Sequence, residues 1–309
     1  MCDTCGGHDG VTGRPAGASR GGRGPAPGEH PEARRGRGTR VVIVGKGGVG
    51  KSTLTAILSR QLARSGLRVV AVDADEQCNL AATLGVDFGE VSSIVPVAED
   101  VDYVEEKTGA RPGGGAGEML VLNPDTTDLI DRLSVEAPDG VRLVVMGGVR
   151  QAGGGCFCPE TALISSAVAG MRLHDDDVVV MDTHAGVEHF GRALARGFDS
   201  AVVVVEPTFN SVQVGVASAS LAHGLGIGTV HLAVNQTRSH DDLPRVLAYV
   251  DQLGGASFDS VTGLPYDELA MVCEPSVGLL LDGSSLAEAV AVLAVEVLAS
   301  DRHSVGVTG

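Results

Sequence analysis

Val41-Val42-Ile43-Val44-Gly45-Lys46-Gly47-Gly48-Val49-Gly50-Lys51-Ser52-Thr53 is the stretch on which the reading of this chain turns. The β-branched run reads as a strand, the glycines as a tight loop, and the residues from about Leu54 onward as a helix. Glycine lets such a loop turn its N–H groups onto phosphate oxygens, and the helix N-terminus adds partial positive charge. In this pattern Lys51 meets the β and γ phosphates of a nucleoside triphosphate, and Ser52 offers its hydroxyl to Mg2+. Gly47, Gly48, Val49, Gly50 and Thr53 complete the expected ATP/ADP cradle. Strand, spacing, Lys-Ser pair and helix all agree, which a turn without a ligand does not require.

Working outward, short apolar runs recur at 69–72, 143–146, 178–181, 202–205 and 230–234, bounded by Gly or Asp. Strands buried on both faces of a parallel sheet have this composition. Helices are expected near 51–65, 160–171, 188–196, 209–223, 241–253 and 285–299. The fold class is therefore α/β: a doubly wound, mainly parallel sheet flanked by helices, in a single domain over 40–309. Residues 86–140 carry Pro112 and the Gly113–Gly115 run and read as an insertion with short helices and a mobile loop. Residues 1–39 read as a disordered tail, since residues 1–40 hold eleven Gly, four Pro and almost no aliphatics.

Net charge narrows the function classes. Lys plus Arg number 23 against 39 Asp plus Glu, giving −16, and the first forty residues carry +3 of local charge. An acidic body repels nucleic-acid backbones and anionic lipid, so no nucleic acid and no membrane are expected as partners. Only three basic residues are lysines, Lys46, Lys51 and Lys107, and two of them stand in the glycine loop. Residues 207–237 carry no Asp, Glu, Lys or Arg, but glycines, histidines and serines interrupt them, so they read as a helix running into a core strand. Six cysteines make no disulfide framework and the opening residues lack a signal-peptide run, so the expected compartment is the cytoplasm.

Lys46 adds a second lysine to the loop, and the 46–52 segment resembles the deviant Walker A ATPases, the class of MinD, ParA and the nitrogenase iron protein. The resemblance implies that Lys46 reaches across a homodimer to the partner's phosphates. It implies that Asp75, in Val72-Asp73-Ala74-Asp75, orients the attacking water in a first switch, where Glu76 replaces the usual Pro. Asp182, ending the 178–181 run, matches the carboxylate behind Mg2+, and 183–189 matches the second switch. Asn235 stands where the class has an adenine-binding Asn, followed by Gln236 in place of Lys. Pro265, in Pro265-Tyr266-Asp267, matches the adenine-side loop. The switch histidines, His184 and His189, read as loop residues without a metal role.

Gly155-Cys156-Phe157-Cys158-Pro159 carries the other chemistry. Two thiolates at i and i+2 do not close a tetrahedral site, whereas two copies supply four sulfurs for Ni2+ or Zn2+ on a two-fold axis. Incidental thiols and a bridging iron–sulfur cluster are the alternatives. Cys78 and Cys273 read as small buried residues, and Cys2, Cys5 and His8 as a loose metal-binding pattern in the tail. With the 185–192 and 203–208 runs, the cysteine pair resembles the CooC-type nickel-insertion accessory ATPases of carbon monoxide dehydrogenase. The resemblance implies a homodimeric ATPase serving a carbon monoxide dehydrogenase-like nickel enzyme. A ParA- or MinD-like spatial organiser and an iron–sulfur carrier or reductase are the rival readings.

Overall fold

The computed structural model describes residues 38–111, 121, 124–147, 163, 166–171, 173–184 and 197–300. They belong to one compact unit, Ala33–Gly309. The six apolar runs anticipated as strands become β1 (Thr39–Gly45), β2 (Arg68–Ala74), β4 (Val141–Val145), β5 (Asp177–Thr183), β6 (Ser200–Val205) and β7 (Thr229–Thr237). Two further strands complete the sheet: β3 (Val135–Ala137) and β8 (Ser260–Pro265). Among the described residues the order is β3-β4-β2-β5-β1-β6-β7-β8, and only β3 runs antiparallel to its neighbour. This is the expected doubly wound, mainly parallel α/β sheet.

Alternation along each strand builds two cores. Val41 and Ile43 face one layer while Val42 and Val44 face the other, as the two-residue period of a strand requires. The first layer is covered by α1 (Lys51–Arg64) and by a C-terminal helix (Ser285–Ser300), through Leu54, Ile57, Leu58, Val290, Leu293 and Val297. The second is covered by α2 (Val101–Thr108), α3 (Phe209–Gly224) and α4 (Asp242–Gln252), through Tyr103, Val104, Val212, Ala219, Val246 and Val250. Each fully buried Leu, Ile or Val contributes about 1.5–3 kcal/mol relative to exposure, so the layered core outweighs any single polar contact in the fold.

The uncharged 207–237 region forms α3 and β7, and among the described residues no helix is long and apolar enough to cross a membrane. Residues 163 and 166–170 are helical, and the helix expected near 188–196 lies outside the described residues. In the insertion, α2 packs beside the short helix Leu129–Leu133, where Lys107 Nζ sits 2.9 Å from Asp128 and over the Tyr103 ring, with Arg132 on the same ring. The third lysine thus ties the insertion together. On the opposite edge, Glu296 of the C-terminal helix accepts hydrogen bonds from Ser260 Oγ (2.6 Å) and Thr262 Oγ1 (2.8 Å) of β8. Because the Ser260 proton goes to Glu296, its oxygen accepts from His231 Nδ1, 2.8 Å away on β7. Burial holds His231 below the usual imidazole range and so favours its neutral form.

Candidate functional site

The C-terminal ends of β2, β5, β1, β6 and β7 lie side by side, which is where open α/β sheets carry their ligands. β1 ends at Gly45, where an added Cβ would stand 2.3 Å from the Val204 carbonyl oxygen of β6, so no side chain fits as the chain leaves the sheet. The loop continues through exposed Lys46, Gly47 and Gly48 and is anchored by fully buried Val49. Gly50 has φ +90°, a left-handed conformation that glycine adopts without strain, and α1 starts at the next residue. Asn235 Nδ2 donates to the Val49 carbonyl at 2.7 Å, fastening the end of β7 to this loop.

Lys51 is buried, and its ammonium donates to the Lys46 carbonyl at 3.2 Å. Burial pulls its pKa down, while the nearby charges of Asp182 and Asp75 pull it up. Ser52 and Thr53 are half-buried in the first turn of the helix. Asp182 on β5 and Asp73 on β2 are paired in register on adjacent strands and both are buried. Burial pushes the Asp182 carboxyl up to about 7 and that of Asp73 up to about 6. Ser52 lies close enough to oppose the Asp182 shift, yet its hydroxyl falls outside hydrogen-bond geometry, and neither Asp182 oxygen has a hydrogen-bond partner. Two buried acceptor atoms beside a Ser hydroxyl and a lone ammonium fit a hard divalent cation, because Mg2+ takes oxygen ligands and brings the missing positive charge.

Asp73 organises the loop that carries Asp75. Its Oδ1 accepts the Asp75 N–H and its Oδ2 the Leu80 N–H, both at 3.0 Å. Within that loop Asp75 Oδ1 accepts from Gln77 N at 2.9 Å, and Cys78 sits at φ +51°. Thr183 Oγ1, following Asp182, donates to the Ile43 carbonyl at 2.7 Å and locks β5 to β1 just before His184. The structure therefore brings Lys51, Ser52, Asp75 and Asp182 to one end of the sheet, with exposed Lys46 on the same loop. Asn235 lies beside the loop, and Pro265 ends β8 one strand further out, paired with Thr237.

Neither the clasp of Asp73 on the loop nor the guanidinium of Arg238, 3.6 Å from the Tyr266 ring centre, was anticipated from the sequence. Cys78 and Cys273, read from the sequence as small buried residues, are half-buried. Among the described residues no group of three or more His, Cys, Asp or Glu could hold a metal. Cys156, Cys158, His189, Cys2, Cys5 and His8 lie outside the described residues.

The two raised carboxyls make the metal-free protein sensitive to pH. Both titrate above the ordinary carboxylate value of 3.8, so the stability they contribute is complete below that value and is lost as the pH rises through about 6 and about 7. Thermal unfolding in chelator is therefore expected to show stability falling by on the order of a few kcal/mol between pH 5 and pH 8. Asp182→Asn should flatten that fall. A profile that is flat in the unmodified chain, or identical in the variant, contradicts the assignment of these two groups.

A family model for the CobQ/CobB/MinD/ParA nucleotide binding domain matches residues 41–293. The carbon monoxide dehydrogenase accessory protein CooC of Rhodospirillum rubrum is 35% identical over 251 residues, covering 78% of this chain and 94% of that protein. An ATP-binding protein of Methanocaldococcus jannaschii is 35% identical over 229 residues, covering 74% and 86%. Among solved structures, the septum site-determining protein MinD of Pyrococcus horikoshii, complexed with Mg-ADP, superposes with a TM-score of 0.59 at 19% identity, covering 84% of this chain and 95% of that one. Matched over most of its length and carrying the phosphate loop at the head of its sheet, the chain belongs to the CobQ/CobB/MinD/ParA nucleotide-binding family, on its CooC-type branch.

Proposed function

We propose that the chain is a Mg2+-dependent ATPase that works as a homodimer and carries Ni2+ or Zn2+ to a nickel enzyme of the carbon monoxide dehydrogenase type. The observation that carries the ATPase reading is the pair of buried Asp182 oxygens without a protein partner, set beside Ser52 and the buried Lys51 ammonium. Phosphoryl transfer asks the protein mainly to position groups and neutralise charge. Lys51 supplies fixed positive charge to the phosphates, and the loop N–H groups orient them. Ser52 would hold Mg2+, with Asp182 behind it, and the cation when bound would neutralise charge on the phosphoryl oxygens. Asp75, held in place through Asp73, accepts a hydrogen bond from the attacking water and aligns it. Lys46 is exposed on the same loop and so is available to a second copy's phosphates.

The metal reading rests on Cys156 and Cys158 and on the likeness to CooC, whose name links it to carbon monoxide dehydrogenase. Four thiolates from two copies complete a site only while the copies are closed, so nucleotide and metal occupancy are coupled. A spatial organiser bound to lipid is disfavoured because residues 285–300 contain no Lys or Arg, leaving no cationic face for anionic headgroups. Sedimentation with a non-hydrolysable ATP analogue tests the dimer. The unmodified chain is expected to sediment at twice the monomer mass with the analogue, and Lys46→Ala to remain monomeric while still binding nucleotide. Equal behaviour of the two proteins contradicts the trans role of Lys46.

A further inference from the structure

Residues 246–300 hold eight Asp or Glu and no Lys, Arg or His, so the C-terminal part of the folded body is wholly acidic. The same stretch carries Met271, Val272, Leu279, Val292 and Val295, each of which leaves between 56% and 79% of its surface in solvent. Single exposed aliphatics need no explanation. These five stand on three elements that follow one another along the chain and touch: the short helix Glu268–Val272, the turn Gly278–Asp282 and the C-terminal helix Ser285–Ser300. In that last helix Val290, Leu293 and Val297 pack inward on the sheet, while Glu288, Ala291, Val292, Val295 and Ala299 form an outer stripe at helical spacing. An outer face that meets only water carries polar side chains, whereas a helix apolar on both sides has both sides covered. Glu268, Glu274 and Glu288 are exposed among these aliphatics, and Asp282 is already answered by Arg64 of α1, Nη1 to Oδ1 at 3.1 Å. The face is also fastened to the phosphate end of the sheet. Val277 N donates to the Thr83 carbonyl at 3.0 Å, on the helix Leu80–Leu84 that Asp73 holds through the Leu80 N–H.

We propose that this face docks a cationic amphipathic helix of a partner protein, its apolar side chains on Met271, Val272, Leu279, Val292 and Val295 and its Lys or Arg on Glu268, Glu274 and Glu288. Charge complementarity selects that occupant. A second copy brings another −16 and sets the same glutamates against themselves, and anionic lipid is repelled in the same way. The chain's own first forty residues carry +3 but almost no aliphatics, so they leave the apolar stripe uncovered. A helix with apolar residues at three- and four-residue spacing and Lys or Arg on its flanks matches both features at once. The apolar contacts supply affinity, while the glutamates at the rim steer the approach and reject acidic partners. The proposal is independent of the nucleotide and metal readings.

Fluorescence anisotropy of the nucleotide-free full chain with three labelled 18-residue peptides tests it. The first has Leu at helical spacing and Lys elsewhere, the second replaces each Lys by Glu, and the third replaces each Leu by Ser. The Leu/Lys peptide is expected to bind, with the other two at least tenfold weaker. Leu279→Ser combined with Val295→Ser should weaken the Leu/Lys peptide about tenfold with thermal unfolding unchanged, and Leu247→Ser, on α4 across the sheet, should leave it unaltered. Equal binding of the Ser/Lys peptide shows charge acting alone and overturns the proposal, as does equal binding of the Leu/Glu peptide. Undiminished affinity in the double variant, or no binding of the Leu/Lys peptide to the unmodified chain, also overturns it. Self-association in sedimentation, or binding to phosphatidylglycerol vesicles, that the double variant abolishes gives the face to a second copy or to lipid and contradicts it equally.

Discussion

Replacing Lys51 by Ala is expected to lower ATP turnover by about three decades, equivalent to ~4 kcal/mol of transition-state stabilisation. The size follows from where the ammonium sits. It is buried at the start of α1, held by the Lys46 carbonyl, and its charge lies near those of both Asp182 and Asp75. Removing it leaves the triphosphate facing three carboxylates across a poorly solvated site, so charge that develops in the transition state has no fixed counter-charge. Substituting Arg at 51 does not restore it, because a planar fork does not fit a space shaped for a compact ammonium. Steady-state phosphate release at saturating Mg-ATP, with circular dichroism to confirm folding, reads the effect. Activity within tenfold of the unmodified chain contradicts the assigned role.

The second large effect is on metal. Cys156→Ala combined with Cys158→Ala is expected to take bound divalent metal from about one ion per two chains to none. The proposed shared site of four sulfurs would lose every donor at once, and thiolate binding of Zn2+ in small structural sites is worth about 10–16 kcal/mol. ATP hydrolysis in the same variant should survive, since the proposed phosphoryl chemistry uses the P-loop, Asp75 and Asp182 and no sulfur. Metal analysis of the purified proteins decides between the readings: retention in the double variant moves the site elsewhere, and visible cluster absorbance in the unmodified chain favours an iron–sulfur centre.

The residues show why some of this was legible in the sequence and some was not. β1, the phosphate loop and α1 read directly, because uninterrupted β-branched residues, glycines of required geometry and a Lys-Ser pair each constrain the same segment. The other central strands read as well, since burial on both faces forces an apolar run. β3 is a three-residue antiparallel edge strand, and β8, Ser260–Pro265, contains Gly263 and a terminal Pro, so neither carries such a run. Lys51 and Asp182 were readable from motif and strand position. The Asp73 clasp was not, because its partners are backbone N–H groups at Asp75 and Leu80, which any residue supplies. The stack of Arg238 on Tyr266 depends on β7 and β8 being neighbours, and that adjacency has no local signature.

In the proposed function, nucleotide closure of two copies is what assembles the metal site. Native mass measurement of the unmodified chain, equilibrated with Ni2+ or Zn2+ and Mg2+, with ADP in one sample and a non-hydrolysable ATP analogue in the other, tests it most directly. The expected result is a dimer carrying one thiolate-bound divalent ion in the analogue sample and a weakened or emptied assembly with ADP. A monomer free of transition metal in both samples contradicts it.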